Sequence, residues 1–319
     1  MLLNQVFKGL NDWWRYLLGI ALVISGYFLG QIPMTVVLYY KISNDPNYGL
    51  EELESFQKNM NFEALGINKN FGFLLLILMF VIAVITLWLV VKQLHIKKME
   101  DLVTPNRPVN INKIVFGFGL WMILSLILEL INYWIDPTSY VFRGSGGAFV
   151  VLLLISLIFL PIQTSFEELF FRGYIMQGLY FFSKNIWIAV LISSVLFGLI
   201  HGMNPEVEKY GFWTMQTYYI AAGLFLAIIT VMDDGLELAL GVHAATNIFG
   251  AVFLTYEGSV LQTDSLFSTT VINPWDMLFG FILSAALFMY ICYKKYGWRS
   301  VTLLSSDYAD ATNNITNEL

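Results

Sequence analysis

Residues 71–91 read FGFLLLILMFVIAVITLWLVV, an apolar run that contains no charged residue. A helix that crosses a membrane needs about 20 mostly apolar residues to span roughly 30 Å of hydrocarbon. This run therefore predicts a transmembrane helix, and it decides the fold class of the whole chain.

Seven further apolar stretches lie on either side of this run, and they are residues 16–40, 113–133, 148–180, 185–201, 212–231, 236–253 and 275–293. Together they predict an all-α fold, a polytopic membrane helix bundle of about eight transmembrane helices. We expect residues 1–319 to form a single integral membrane domain, with a catalytic core at about 150–253 and a short polar C-terminal tail at 295–319.

The composition agrees with a lipid environment. Hydrophobic residues make up 57% of the chain and charged residues only 13%, whereas soluble domains carry about 25% charged residues. A soluble enzyme, a disordered tail and a coiled coil are therefore excluded. The net charge of −6 and the isoelectric point near 5.1 argue against a nucleic-acid partner, which would need a basic surface.

The distribution of Lys and Arg predicts the orientation in the membrane. Segment 92–113 contains five of these residues and the C-terminal flank contains Lys294, Lys295 and Arg299, whereas loop 255–274 contains none. Short loops rich in Lys and Arg stay in the cytoplasm. We therefore expect both termini to be cytoplasmic, in a bacterial inner (cytoplasmic) membrane, and the acidic loop 41–70 to carry a short surface helix on the other side.

Ionisable residues inside apolar spans are the best functional candidates, because each costs on the order of 2.5–3.5 kcal/mol to insert. The first group lies in SFEELFFR, residues 165–172. Glu168 and Arg172 are four residues apart, so on a helix they share a face and can pair. Glu167 lies about 100° away around the helix and has no such partner. Its carboxylate is therefore available for chemistry.

Two histidines also lie in apolar spans. His201 closes the run FGLIH at 197–201, and HAATN at 243–247 places His243 and Asn247 on one helix face. The third histidine of the chain, His95, lies in the basic loop. Two unrelated core histidines are a poorer explanation than one shared pocket. For Glu167 to reach His201, stretch 148–180 must form a single helix of roughly 50 Å with the glutamates near mid-depth.

These residues suit the hydrolysis of an amide. A carboxylate in apolar surroundings can act as a general base on water, a histidine beside it can position that water, and a second histidine with an amide can donate hydrogen bonds to the oxyanion. No Ser or Cys has an evident partner, which disfavours a covalent nucleophile. We expect no cofactor, but zinc is a competing possibility, since Glu167, His201 and His243 are residue types that bind it.

Three motifs in this order resemble those of the CPBP intramembrane proteases, which include the CAAX-prenyl endopeptidases and the bacteriocin-processing Abi proteins. The motifs are Glu-Glu-x-x-x-Arg, Phe-x-x-x-His and His-x-x-x-Asn, at Glu167, Glu168 and Arg172, at Phe197 and His201, and at His243 and Asn247. The resemblance implies a membrane-embedded endopeptidase of the glutamate type. By similarity, Glu167 and His201 activate water, His243 and Asn247 form the oxyanion site, and Glu168 and Arg172 are a supporting ion pair.

The implied substrate is a membrane-embedded or lipid-anchored peptide or protein, cleaved within the lipid bilayer. Two alternatives stay open. The chain could be a non-catalytic membrane scaffold or maturation partner that retains the protease fold. It could also be a transporter with a proton relay through Glu167 and His243, although the sequence has no internal repeat of the kind typical of transporters.

Overall fold

The computed structural model describes residues 1–144, 146–270 and 272–298. Arg299 and most of the predicted polar tail lie outside the described residues. Within them the helices are α1 (Trp13–Gly30), α2 (Ile32–Asn44), α3 (Leu50–Asn59), α4 (Lys69–Leu89), α5 (Glu100–Val103), α6 (Ile111–Ile135), α7 (Gly146–Glu168), α8 (Met176–Ser183), α9 (Ile186–Ile200), α10 (Pro205–Tyr210), α11 (Phe212–Asp233), α12 (Glu237–Ile248) and α13 (Pro274–Tyr296).

Three short strands complete the fold: β1 (Tyr140–Phe142), β2 (Leu254–Tyr256) and β3 (Phe267–Thr269). They form one sheet in the order β1-β3-β2, in which β1 and β3 are antiparallel and β2 and β3 are parallel. Tyr140 pairs with Thr269, and Leu254 pairs with Phe267. The sheet therefore ties together the connections that follow α6, α12 and the loop before α13.

Seven helical segments of the described chain are long and apolar enough to cross a membrane, which confirms a polytopic helical bundle. The eighth predicted span differs, because the helix at Glu237–Phe253 is shorter than a typical transmembrane helix. Most residues of α12 are buried against other helices, including α6, α7 and α11. A helix enclosed by protein in this way need not match the thickness of the hydrocarbon that surrounds the bundle.

Both ends of the described chain lie at one end of the bundle, which we call the terminal end. The Leu2 backbone N–H donates to Asp234 Oδ1 at 2.6 Å, and Trp298 Nε1 donates to Asp233 Oδ1 at 3.2 Å. Lys113, at the start of α6, pairs with the same Asp233 at 2.9 Å. The turn between α11 and α12 therefore joins the first and last described residues.

The opposite end, which we call the sheet end, contains β1 to β3, helix α3 and helix α10. Lys69 pairs there with Asp264 at 3.0 Å, and Lys209 pairs with Glu257 at 3.0 Å. The predicted surface helix in loop 41–70 is present as α3. The short helix α12 begins at the terminal end and leads into β2 at the sheet end, so it also traverses the bundle.

The helix that carries the two central glutamates is continuous from Gly146 to Ser183, as their predicted mid-depth position requires. Pro161 lies within it, and a π-helical turn, Leu169–Ile175, separates α7 from α8. Such π-turns occur frequently at functional sites. Glu167 and Glu168 are the last residues before this turn, near the middle of the segment.

Candidate active site

The candidate residues come from three helices that meet inside the bundle. The end of α7 and the π-turn carry the two glutamates and Arg172, the C-terminal end of α9 leads into His201, and α12 carries His243 and Asn247. Helix α11 packs against α9 beside them. The apolar faces of these helices bury the site, so its polar groups depend on one another for hydrogen bonds.

Glu168 and Arg172 form the ion pair that their spacing predicts. Arg172 Nη1 lies 2.7 Å from Glu168 Oε1, and both side chains are 0% exposed. Arg172 Nη2 also donates to the Gly223 carbonyl of α11 at 3.0 Å, and the guanidinium lies 4.2 Å from the centre of the Phe197 ring. The positive charge is therefore held by partners on three helices.

The same carboxylate fixes His243. Its Nδ1 lies 2.7 Å from Glu168 Oε1, between residues 75 positions apart in the chain. Because a carboxylate can only accept, this bond places a proton on Nδ1 and leaves Nε2 facing away from Glu168. His243 Nε2 then lies 3.5 Å from Glu167 Oε2. One glutamate therefore orients the imidazole towards the other.

Glu167 has fewer partners than Glu168. Its Oε1 accepts from Gln163 Nε2 at 3.0 Å, while its buried Oε2 has no hydrogen-bond partner, as is also true of Glu168 Oε2. Unlike Glu168, Glu167 is not paired with a guanidinium among the residues that the structure describes. The residue is only 4% exposed. A buried carboxylate oxygen without a donor is costly in a folded protein, which is typical of a group kept for a ligand or for chemistry.

His201 is packed against two aromatic rings, those of Phe197 and Tyr219. Its Nδ1 contacts the Phe197 carbonyl at 2.7 Å, so this nitrogen is the donor and Nε2 has a free lone pair. The ring lies between Phe197 and Tyr219, with ring centres 4.6 Å and 4.7 Å away. Glu167 and His243 are both within electrostatic range of this ring.

The geometry also differs from the expected pairing. The histidine nearest the free oxygen of Glu167 is His243, and no hydrogen bond joins Glu167 to His201 among the described residues. Asn247 Nδ2 donates to Gln163 Oε1 at 3.2 Å. Gln163 therefore links Asn247 to Glu167, and sequence reasoning missed it. The available signal was its position, four residues before Glu167 in an apolar span.

Both histidines of the site use Nδ1 for a hydrogen bond within the protein. Nδ1 of His243 is occupied by Glu168, and Nδ1 of His201 is occupied by the Phe197 carbonyl. In the described part of the chain, no group of three or more His, Cys, Asp or Glu side chains is arranged to hold a metal ion. Bonds of this kind at Nδ1 are also those that zinc-bound histidines usually make, with Nε2 as the ligand.

Comparison with known proteins identifies relatives of this site. The family described as "Type II CAAX prenyl endopeptidase Rce1-like" matches residues 146–249, a range that contains all six candidate residues. The uncharacterized protein YyaK of Bacillus subtilis (strain 168) is 32% identical over 275 residues, which cover 85% of this chain and 89% of YyaK. No solved structure matches the chain.

Proposed function

The chain belongs to the Rce1-like family of type II CAAX prenyl endopeptidases, and on that basis we propose that it hydrolyses a peptide bond within the membrane with water activated by Glu167. The observation that carries this proposal is the free, buried Oε2 of Glu167, 3.5 Å from His243 Nε2. A general base needs an oxygen of this kind, within hydrogen-bond reach of a water and not saturated by donors.

In the proposed reaction, Glu167 Oε2 takes a proton from water as the water oxygen attacks the carbonyl carbon. The carbonyl oxygen becomes an oxyanion, and Glu167 then returns the proton to the leaving nitrogen as the C–N bond breaks. The free Nε2 lone pair of His201 can accept a hydrogen bond from the other hydrogen of the water and so orient it. Each step moves one proton and needs no covalent enzyme intermediate.

We assign the oxyanion to the α12 side of the site. The Asn247 amide nitrogen carries two hydrogens, of which one is donated to Gln163, so the other is available to the oxyanion. We assign the same role to His243, which shares a face of α12 with Asn247. Glu168 acts through His243, because its bond to Nδ1 fixes the ring, and Arg172 balances the charge of Glu168.

The proposed substrate is a lipidated or membrane-associated peptide, because the site is enclosed by helices long enough to span a bilayer. We further propose that the terminal end faces the cytoplasm of a bacterial cell. Lys8 and Arg107 pair with Asp101, and Lys113 pairs with Asp233 at that end. This concentration of basic residues is typical of the cytoplasmic side.

The test is cleavage of a fluorogenic peptide with a farnesylated cysteine and three following residues, by the purified chain in proteoliposomes. Glu167→Gln should lower kcat by a factor on the order of 10²–10⁴, the usual contribution of a general base. Glu129→Gln is the matched control, since Glu129 is also a span glutamate but contacts Tyr140. Cleavage by Glu167→Gln at the parent rate would refute the role of Glu167, whereas no cleavage by either chain would favour a non-catalytic scaffold.

A second arm of the experiment addresses the metal. We propose that the reaction needs no bound zinc, so 1,10-phenanthroline should leave the cleavage rate unchanged. Loss of activity that added Zn²⁺ restores would contradict this and would favour a rearranged site with Glu167, His201 and His243 as ligands.

A further inference from the structure

Helix α11 carries a buried amide that the proposed chemistry does not use. Gln216 is 3% exposed, and neither its Nε2 nor its Oε1 has a hydrogen-bond partner. A Gln amide can donate two hydrogen bonds and accept two, and most buried polar groups have at least one partner. Gln216 lacks a partner for both atoms, and it lies beside the candidate active site.

The position of this amide is set by two glycines of the His201 segment. A Cβ added to Gly202 would lie 2.7 Å from Gln216 Nε2, and one added to Gly198 would lie 3.3 Å from Gln216 Oε1. Gly202 directly follows His201 in the chain. Gln216 also lies one turn before Tyr219, whose ring stacks on His201. The amide therefore lies against the backbone that presents His201.

A cavity opens next to this amide at the sheet end. It has a volume of about 400 Å³ and lies between α3 and the segment that follows His201. Its lining includes Gly202, Asn204 and Glu54. Gly202 lines this cavity and also lies beside the Gln216 amide, so the amide neighbours a residue of the cavity wall. A peptide bound in this cavity would therefore lie beside the segment that directly follows His201 and close to Gln216.

We propose that Gln216 binds a peptide unit of the substrate, with Nε2 donating to a substrate carbonyl and Oε1 accepting from a substrate N–H. This inference rests on the proposed peptidase function and adds a substrate-binding residue to it. An extended peptide in a largely apolar site loses most of the water around its backbone groups, so these groups need partners on the protein. One unpartnered donor and one unpartnered acceptor on a single side chain match what a peptide unit presents.

The test compares two buried glutamines. Gln177 is 1% exposed, and its Nε2 donates to the Asp101 carbonyl at 2.9 Å, near the terminal end. Each is replaced by Met, which has a similar length and no hydrogen-bonding amide. The probe is the farnesylated fluorogenic peptide, and its Kd is measured by fluorescence anisotropy in the Glu167→Gln background, so that turnover does not enter.

We expect Gln216→Met to raise Kd by about tenfold, the loss of one or two net hydrogen bonds, and Gln177→Met to leave it unchanged. The free energy of unfolding in mixed micelles then distinguishes a substrate-binding role of Gln216 from a structural one. Gln216→Met should keep or increase stability, because it removes an unsatisfied buried amide, whereas Gln177→Met should decrease it. If Gln216 had only a structural role, Gln216→Met would leave Kd unchanged and decrease stability.

Gly202→Ala supplies an independent variant, because the added carbon would displace the Gln216 amide. It should raise Kd in the parent background and have less effect when Gln216 is already Met. Equal Kd values for Gln216→Met and Gln177→Met would overturn the inference and leave the peptidase proposal intact. Failure of the parent chain to cleave or bind the probe would overturn both.

Discussion

Replacing Arg172 by Met should be among the most destabilising single changes in this chain. The guanidinium is completely buried, 2.7 Å from the equally buried Glu168 carboxylate. Its removal leaves that charge in an apolar interior with only the His243 ring as partner. Breaking a buried pair by deleting one member costs about 3–5 kcal/mol. We therefore expect the free energy of unfolding to fall by about that amount.

The assay is reversible unfolding in mixed micelles titrated with SDS, with Lys41→Met as the control. Lys41 and Asp45 have the same spacing of four residues and lie 2.8 Å apart, but both are partly exposed. Exposed pairs of this type contribute little, so this variant should unfold like the parent. The difference in unfolding free energy between Arg172→Met and Lys41→Met therefore measures the effect of burying an ion pair, because the residue spacing is the same in both.

A double variant tests the reasoning more closely. Glu168→Gln combined with Arg172→Met removes both charges, so no uncompensated carboxylate is left. The double variant should recover about 1–3 kcal/mol relative to Arg172→Met alone. If Arg172→Met unfolds within about 1 kcal/mol of the parent, or if the double variant is the less stable of the two, the electrostatic account of this site is wrong.

Three further predictions concern packing and pH. Gly30→Ala should destabilise the chain by about 1–3 kcal/mol, because a Cβ would lie 2.6 Å from Met79 Cα, whereas Gly119→Ala, with nothing within 4 Å, should not. Burial raises the pKa of Glu206 above 4.5, so the folded state holds a proton that the unfolded state releases. Stability should therefore decline as pH rises above 4.5, and Glu206→Gln should flatten that decline. Burial lowers the pKa of His95 from 6.5 to about 4. Stability should fall by about 3 kcal/mol as pH drops through that interval, and His95→Asn should remove this slope. Unfolding titrations at several pH values measure both slopes, and unchanged slopes in the variants would contradict these assignments.

Long apolar runs made most of the fold predictable, because a bilayer demands helices of nearly fixed length and composition. The run at 71–91 lies within a candidate membrane span, Lys69–Leu94. The span at 236–253 was the least well predicted, since its length is set by contacts inside the bundle. Which helices are neighbours depends on tertiary packing. The pattern of apolar residues in one helix does not indicate which other helix it packs against.

The same division between local and distant contacts applies to the polar residues. The pairing of Glu168 with Arg172 follows from a spacing of four residues on one helix. The bond from His243 to Glu168 joins residues 75 positions apart and could not be predicted. His95 lies in the basic loop, as the sequence indicates, but its ring is buried there, and its nitrogens contact the Leu10 carbonyl and the Tyr174 hydroxyl.

The two adjacent glutamates show what the scarcity of charged residues in the apolar spans could and could not predict. It identified both residues as candidates for the site, but it did not distinguish their contacts. Glu168 is bound by Arg172 and His243, so its burial is largely compensated. Glu167 has a single amide donor, Gln163, and one oxygen that nothing binds. Arg172 and His243 both bind Glu168 through Oε1, and each glutamate keeps a buried Oε2 without a hydrogen-bond partner. The two carboxylates therefore differ in their bound partner, which is a guanidinium for Glu168 and a neutral amide for Glu167. Gln163 carries no charge that the sequence could flag, yet it binds one oxygen of Glu167 and also links that glutamate to Asn247.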